Sequence, residues 1–235
     1  MNASTAAGHA RRPGPATVTL LFAAILCAGC AGWAPWTNRE QAARNRERYG
    51  PTANQRIKEI ETEAKEAKAG TADRQAAFTQ ELIRKMLEEH DPRVRCAILG
   101  AANEFDTPAA LAICRGALDD PNERVRTRAC EAWRKRGGEE AVQLLAARYR
   151  TDPELDVRLR ALRMLGDLKD KSAIPVLAKA LEDPDPAVQY RAVSSLKKVS
   201  GRDLGDDVNK WREWAADPNG TSAEWSVAET FRKLF

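Results

Sequence analysis

Histidine is nearly missing from this chain, which has only His9 and His90. A Ser-His-Asp triad, a Cys-His pair and a histidine-based metal site would all have to be built on the same one or two residues. The three cysteines after Cys30, Cys96, Cys114 and Cys130, form no Cys-x-x-Cys, so neither a thiol redox motif nor a zinc ribbon is written there. No glycine-rich phosphate loop or dinucleotide fingerprint occurs. Aromatic residues make up 6% of the chain. Neither sign of charge dominates: 38 basic residues stand against 34 acidic ones, a net +4, which is not the footprint of a protein that coats nucleic acid. After the first 30 residues no apolar run is long enough to span a bilayer. What remains is 43% hydrophobic and 31% charged, rich in Ala, Leu, Glu and Arg, a folding composition biased towards helices.

The first 30 residues differ from the rest. Arg11 and Arg12 precede an apolar run, Ala16 to Ala28, of the length of a signal-peptide core. The run closes on Leu26-Cys27-Ala28-Gly29-Cys30. This resembles a bacterial lipobox, although Cys27 stands where that family prefers Leu. The resemblance implies cleavage before Cys30, acylation of its thiol and amino group, and membrane residence held by those chains. Ordinary signal-peptidase cleavage at the same small residues, or an uncleaved N-terminal anchor, are the alternatives. Residues 30–51 read as a tether. Trp33 and Trp36 within it are either headgroup-level anchors or incidental.

Helical signals start at Thr52, where Thr-Ala-Asn-Gln matches a capping box. Ile57, Ile60 and Ala64 follow, Gly70 stops the helix, and Thr71 opens another with Ala77, Leu82, Ile83 and Leu87 as its apolar stripe. Four related segments come next: Asp91-Pro-Arg-Val94-Arg95, Asp120-Pro-Asn-Glu-Arg-Val125-Arg126, Asp152-Pro-Glu-Leu-Asp-Val157-Arg158 and Asp183-Pro-Asp-Pro-Ala-Val188-Gln189. The valines recur about every 31 residues. Four positions after each stand Ile98, Ala129, Ala161 and Ala192, on the same helix face. Asp suits a helix N-cap and Pro the first helical position, so each segment is expected to open a helix, with Asp as the cap. Second helices follow at Thr107-Pro108, after Gly137-Gly138, and at Asp170. The unit is helix–turn–helix and must stack on neighbours to bury its apolar face.

The pattern resembles HEAT repeats, in particular the short HEAT-like class also found in phycobilin-lyase-related proteins. Tetratricopeptide and ankyrin repeats have similar periods, but their signature residues are missing. The resemblance implies an all-α, right-handed α-solenoid over residues 52–216, with helical caps at both ends. Val208 to Ala215, carrying Trp211 and Trp214, is expected to close it. Residues 217–235 read as a turn, Asp217-Pro-Asn-Gly220, and a final helix from about Ser222 carrying Trp225, Phe231 and Phe235.

With catalytic and metal sites unsupported, no cofactor is expected, and surface is what is left. Some HEAT-like proteins bind iron through His-Glu pairs, but this chain has no such pair. His90, at a helix end, reads as structural. Cys114 and Cys130 read as small buried residues, with a disulfide as the alternative. Arg95, Arg126 and Arg158 are expected to pair with cap aspartates of neighbouring units. Arg115, Arg148 and Lys179 fall at near-equivalent places on successive second helices, and in HEAT-like solenoids such helices line the concave side. They are the candidate partner-binding stripe, each expected to be exposed. The expectation is a non-catalytic scaffold in the cell envelope. It is anchored at Cys30 to the periplasmic face of the outer membrane, since Ala31 brings no acidic retention signal, and it binds another protein but no nucleic acid. The alternative is a lyase-like enzyme acting on a cofactor or envelope polymer.

Overall fold

A computed structural model describes residues 35–218. The signal segment, Cys30, Trp33 and the final helix expected from Ser222 lie outside the described residues. The chain divides into two units, residues 1–52 and 53–235. In the first, the stretch read as a tether contains a helix, α1 (Pro35–Tyr49). Its Glu, Gln, Ala and Arg residues favour helix locally, and every side chain from Arg39 to Tyr49 is exposed.

The second unit is a run of helices: α2 (Ala53–Lys68), α3 (Ala72–Glu88), α4 (Pro92–Ala102), α5 (Pro108–Gly116), α6 (Glu123–Arg136), α7 (Gly138–Thr151), α8 (Leu155–Leu168), α9 (Ile174–Ala180), α10 (Pro186–Ser200) and α11 (Val208–Ala216). Short 3₁₀ turns, Ala117–Asp119 and Lys171–Ala173, follow α5 and precede α9. The helices alternate between two layers. α2, α4, α6, α8 and α10 stack in order as first helices, while α3 packs on α5 and α9 on α11 in the second layer. The N-terminal cap pair, α2 and α3, thus stacks as a repeat does, although it lacks the Asp-Pro signature. This all-helical stack is the expected α-solenoid.

The repeat positions explain the packing. Val94, Val125, Val157 and Val188 are buried, as are Ile98, Ala129, Ala161 and Ala192 one turn on. Leu99, Cys130, Leu162 and Val193 widen the same stripe. Small residues set how near stacked helices come. A Cβ added at Gly166 of α8 would lie 2.7 Å from Ser195 Cβ and 2.8 Å from its Cα, so α8 and α10 touch there nearly backbone to backbone. The Ser195 hydroxyl donates to the Leu162 carbonyl at 2.9 Å, which satisfies a buried polar group at that contact. Gly137, the single residue between α6 and α7, has φ 71° and ψ −164°, a conformation that is essentially glycine's own. At the C-terminal end Trp211 is fully buried, donates to the Gly205 carbonyl at 2.8 Å and meets Trp214 edge-on. On α3 the apolar stripe is narrower than expected: Ala77 is exposed and Leu87 is 82% exposed, while Phe78, Leu82, Ile83 and Met86 pack inward.

The caps correct one expectation. Asp91 is an N-cap, accepting from the Arg93 amide at 2.8 Å with Pro92 in the first turn. At the other three helices the cap position falls to Asn122, Glu154 and Asp185 instead, and only Asn122 and Asp185 accept an amide with their side chains. In each repeat the cap lies three residues before the valine, whereas Asp120, Asp152 and Asp183 lie five before it. These aspartates fold the approach to the helix, accepting from the amide two residues on at 2.8–3.0 Å. Asp120 and Asp152 also receive an arginine from the preceding repeat. Arg95 Nε and Nη2 donate to Asp120 at 2.8 Å each, and Arg126 donates to Asp152 at 2.8 and 2.9 Å. The third guanidinium nitrogen of each turns back to carbonyls of its own loop, Glu89 and His90 for Arg95, Asp120 and Pro121 for Arg126. One planar side chain therefore ties its own helix entrance to the next repeat. Arg158 keeps the carbonyl half of this arrangement, to Asp152 and Pro153, but has no carboxylate among the described residues within ion-pair distance. The Tyr149 hydroxyl donates to Asp183 at 3.4 Å in its place, and burial, with the Asp183 charge behind it, pushes that phenol up to about 12.

A trough along the first helices as the candidate functional site

Three clefts open between successive first helices. The first, about 580 Å³, lies between α2 and α4 and reaches Arg128 of α6. The second, about 360 Å³, runs from α4 across α6 to α8. The third, about 460 Å³, is bounded by α6, α8 and Arg191 of α10. Gly100, Glu104 and Arg128 line the first two alike, and Arg160 and Arg163 line the last two. The clefts are thus one continuous trough crossing five helices. At ~8–10 Å between helix axes it is ~32–40 Å long. An extended chain rises ~3.3 Å per residue, so the trough has room for roughly ten to twelve residues.

The sequence makes the trough from two ingredients. Its floor is low because the first helices carry small residues there: Ala64, Ala97, Gly100, Ala101 and Ala132. A Cβ added at Gly100 would meet nothing within 4 Å. Its walls are charged, with nine basic side chains against six acidic ones. Three of the acids are each shared by cations from two helices. Glu104 takes Lys135 of α6 and Lys68 of α2, which together hold its carboxyl down at about 2. Glu131 takes Arg128 at 2.7 Å and Arg160 of α8 at 3.3 Å. Asp167 takes Lys198 of α10 at 2.6 Å, with Arg163 at 3.9 Å. These bridges cross from repeat to repeat and stiffen the walls. At the α6–α10 end four arginines line the cleft against Glu123 and Asp156. Among these, Arg124 and Arg191 have no carboxylate among the described residues within ion-pair distance.

The residues singled out from sequence sit on the other layer. Arg115 is exposed on α5 and donates to Glu140 of α7 at 2.6 Å. Lys179 is exposed on α9 and pairs with Glu182 one turn on. Arg148 departs from the expected exposure. Its side chain is only 14% exposed, because it reaches Asp119 on one side and Asp152 at 3.2 Å on the other. It serves the same aspartate as Arg126 and is part of the stacking framework. None of the three lines the trough, which lies along the helices that carry the Val-Arg motif. The signal that marks the trough was in the sequence: small and charged residues alternate on the outward side of each Val-bearing helix, as at Ala97, Gly100, Arg128 and Arg160.

His90 is exposed, just beyond α3, and its carbonyl accepts from Arg95. Cys114 and Cys130 are buried with free thiols. Burial raises both, Cys130 to about 12, so neither is a ready nucleophile. Cys96 is half-buried in the first cleft, and desolvation raises it as well. No group of three or more His, Cys, Asp and Glu side chains suited to a metal ion occurs among the described residues. No helix among them is long and apolar enough to cross a membrane.

No curated protein matches the chain. A family model described as HEAT repeats matches twice, over residues 79–160 and 149–227. The matches run from α3 through the last described helix and cover more than half of the sequence, in agreement with the stacked pairs and the Val-Arg period. The chain belongs to the HEAT-repeat family.

Proposed function

We propose that this HEAT-repeat chain is a non-catalytic scaffold of the cell envelope that holds an extended segment of another protein in the first-helix trough. The observation that carries this reading is the continuity of the three clefts across five stacked helices. A repeat array supplies a long, stiff surface of this kind without chemistry, and the paired charges on its walls are already positioned before a partner arrives. The anchor in this reading is Cys30, acylated after cleavage of the segment before it. The basis is Ala28-Gly29-Cys30 following an apolar run. Residues 31–51 then place the repeats near the membrane surface, on the periplasmic side of the outer membrane.

Two experiments test the reading. Mass spectrometry of the membrane fraction should find an N-terminal, acylated Cys30, and an unmodified chain confined to the soluble fraction would remove the anchor. Partner recovery from solubilised envelopes should fall for Arg163→Glu in the trough and persist for Arg115→Glu/Lys179→Glu on the second layer. The opposite pattern would move the binding surface to the second-helix stripe.

A further inference from the structure

The four-arginine cleft at the α6–α10 end contains an unused donor. Arg191 makes no hydrogen bond or ion pair to any described residue, and its Nε is buried without a partner. A buried donor left unsatisfied costs ~1–3 kcal/mol, and native proteins seldom leave one so. Arg136 and Arg148 leave a buried Nε unpartnered too, but their terminal nitrogens are bound, whereas Arg95 and Arg126 satisfy the whole edge with a carboxylate. Asp120 takes the Nε and Nη2 of Arg95 side-on, and Asp152 takes the same edge of Arg126. Arg191 has no such carboxylate among the described residues and lines an open cleft of about 460 Å³. Arg124, Arg160 and Arg163 line the same cleft, from two other helices.

We propose that this cleft is a carboxylate-recognition subsite, in which Arg191 receives an aspartate or glutamate side chain of an acidic segment lying in the trough. The inference rests on the reading of the trough as the partner surface. A carboxylate that enters the cleft and meets the Arg191 guanidinium makes a charge-assisted pair of the kind that Arg95 and Arg126 already make internally. The neighbouring arginines add attraction, and salt screens it over ~8 Å at physiological ionic strength. The rim favours a single carboxylate over a phosphate. Glu123 and Asp156 stand at the cleft, and a group carrying close to two negative charges meets more repulsion from them than a group carrying one. Half-buried Leu159 provides an apolar wall for the neighbouring side chain of a peptide.

The test is fluorescence anisotropy with the full-length chain in detergent. The probe is a labelled peptide of repeating Glu-Ser-Leu, about twelve residues long to match the trough. Saturable binding that weakens with added salt is expected, with little binding of the matching Gln-Ser-Leu peptide. Arg191→Ala should weaken binding about tenfold, as loss of a charge-assisted pair does, and Arg191→Lys should recover part of it. Arg124→Glu, at an exposed position where folding is not at stake, should weaken binding as well. Binding by Arg191→Ala and Arg124→Glu equal to that of the unaltered chain would overturn the subsite. So would displacement of the peptide by inorganic phosphate at the same site. If a partner still crosslinks along the trough while Arg191→Ala changes nothing, the subsite alone is lost and the scaffold reading stands. If neither occurs, both are lost.

Discussion

Replacing Asp152 should destabilise this protein far more than the loss of a helix cap does. Its side chain is fully buried and accepts from Arg126 at 2.8 and 2.9 Å, from Arg148 at 3.2 Å and from the Glu154 amide at 3.0 Å. Asp152→Ala leaves Arg126, only 9% exposed, with no carboxylate, and leaves Arg148 with Asp119 alone. Stranding a buried charge costs ~3–5 kcal/mol, whereas a lost N-cap costs ~1 kcal/mol. Asp91→Ala, which removes a true N-cap, supplies the lower figure in the same fold. The assay is urea denaturation followed by circular dichroism, comparing midpoints and checking that the slope is unchanged. The pH dependence gives a second readout. Burial pushes the Asp152 carboxyl up, but Arg126, the Glu154 amide and Arg148 outweigh it, and the net shift is downward. A lowered carboxyl contributes stability that is present above its unfolded value and is lost as pH falls through the folded one. The gap between the unaltered chain and Asp152→Asn should therefore hold at neutral pH and close as the pH falls below about 4. If Asp152→Ala costs no more than Asp91→Ala, the aspartate–arginine tie between repeats is not what holds the stack.

Two glycines should respond in opposite directions to alanine. Gly166→Ala drives a Cβ into the Ser195 backbone and should cost ~1–3 kcal/mol, whereas Gly100→Ala faces open space and should stabilise α4 by ~0.5–1 kcal/mol, both read from thermal unfolding. Thiol alkylation with mass detection should label Cys96 slowly in the native state. Cys114 and Cys130 should be labelled only after denaturant opens the core, and fast native labelling of Cys130 would contradict its burial.

How far the sequence could be read depended on whether a feature was local or between repeats. The valines and the residues one turn on marked the buried face because helical periodicity is local, and Gly137-Gly138 and Thr107-Pro108 marked turns for the same reason. The caps were misjudged because Asp-Pro looks like an N-cap on its own. The distance to the valine distinguishes the cases: three residues for Asp91, five for Asp120, Asp152 and Asp183. The extra two residues free the aspartate to meet an arginine from the previous repeat. Arg148 was misplaced because only the stacking shows that Asp119 and Asp152 converge on it. The trough was missed because it exists only between helices, where small residues of one repeat face charged residues of the next. Arg158 shows the limit of the repeat rule, since its period is correct while Tyr149 holds the aspartate it would have met.

Whether the first-helix trough holds the partner can be tested by one paired crosslinking measurement. Gly100 in the trough and Gly116 at the end of α5 both face open space, so a photoreactive side chain fits at either without disturbing the stack. Illumination of intact envelopes should give a discrete adduct from position 100, with sequenced partner peptides rich in Asp and Glu, and little from position 116. Adducts from position 116 with none from position 100 would contradict the trough as the binding surface.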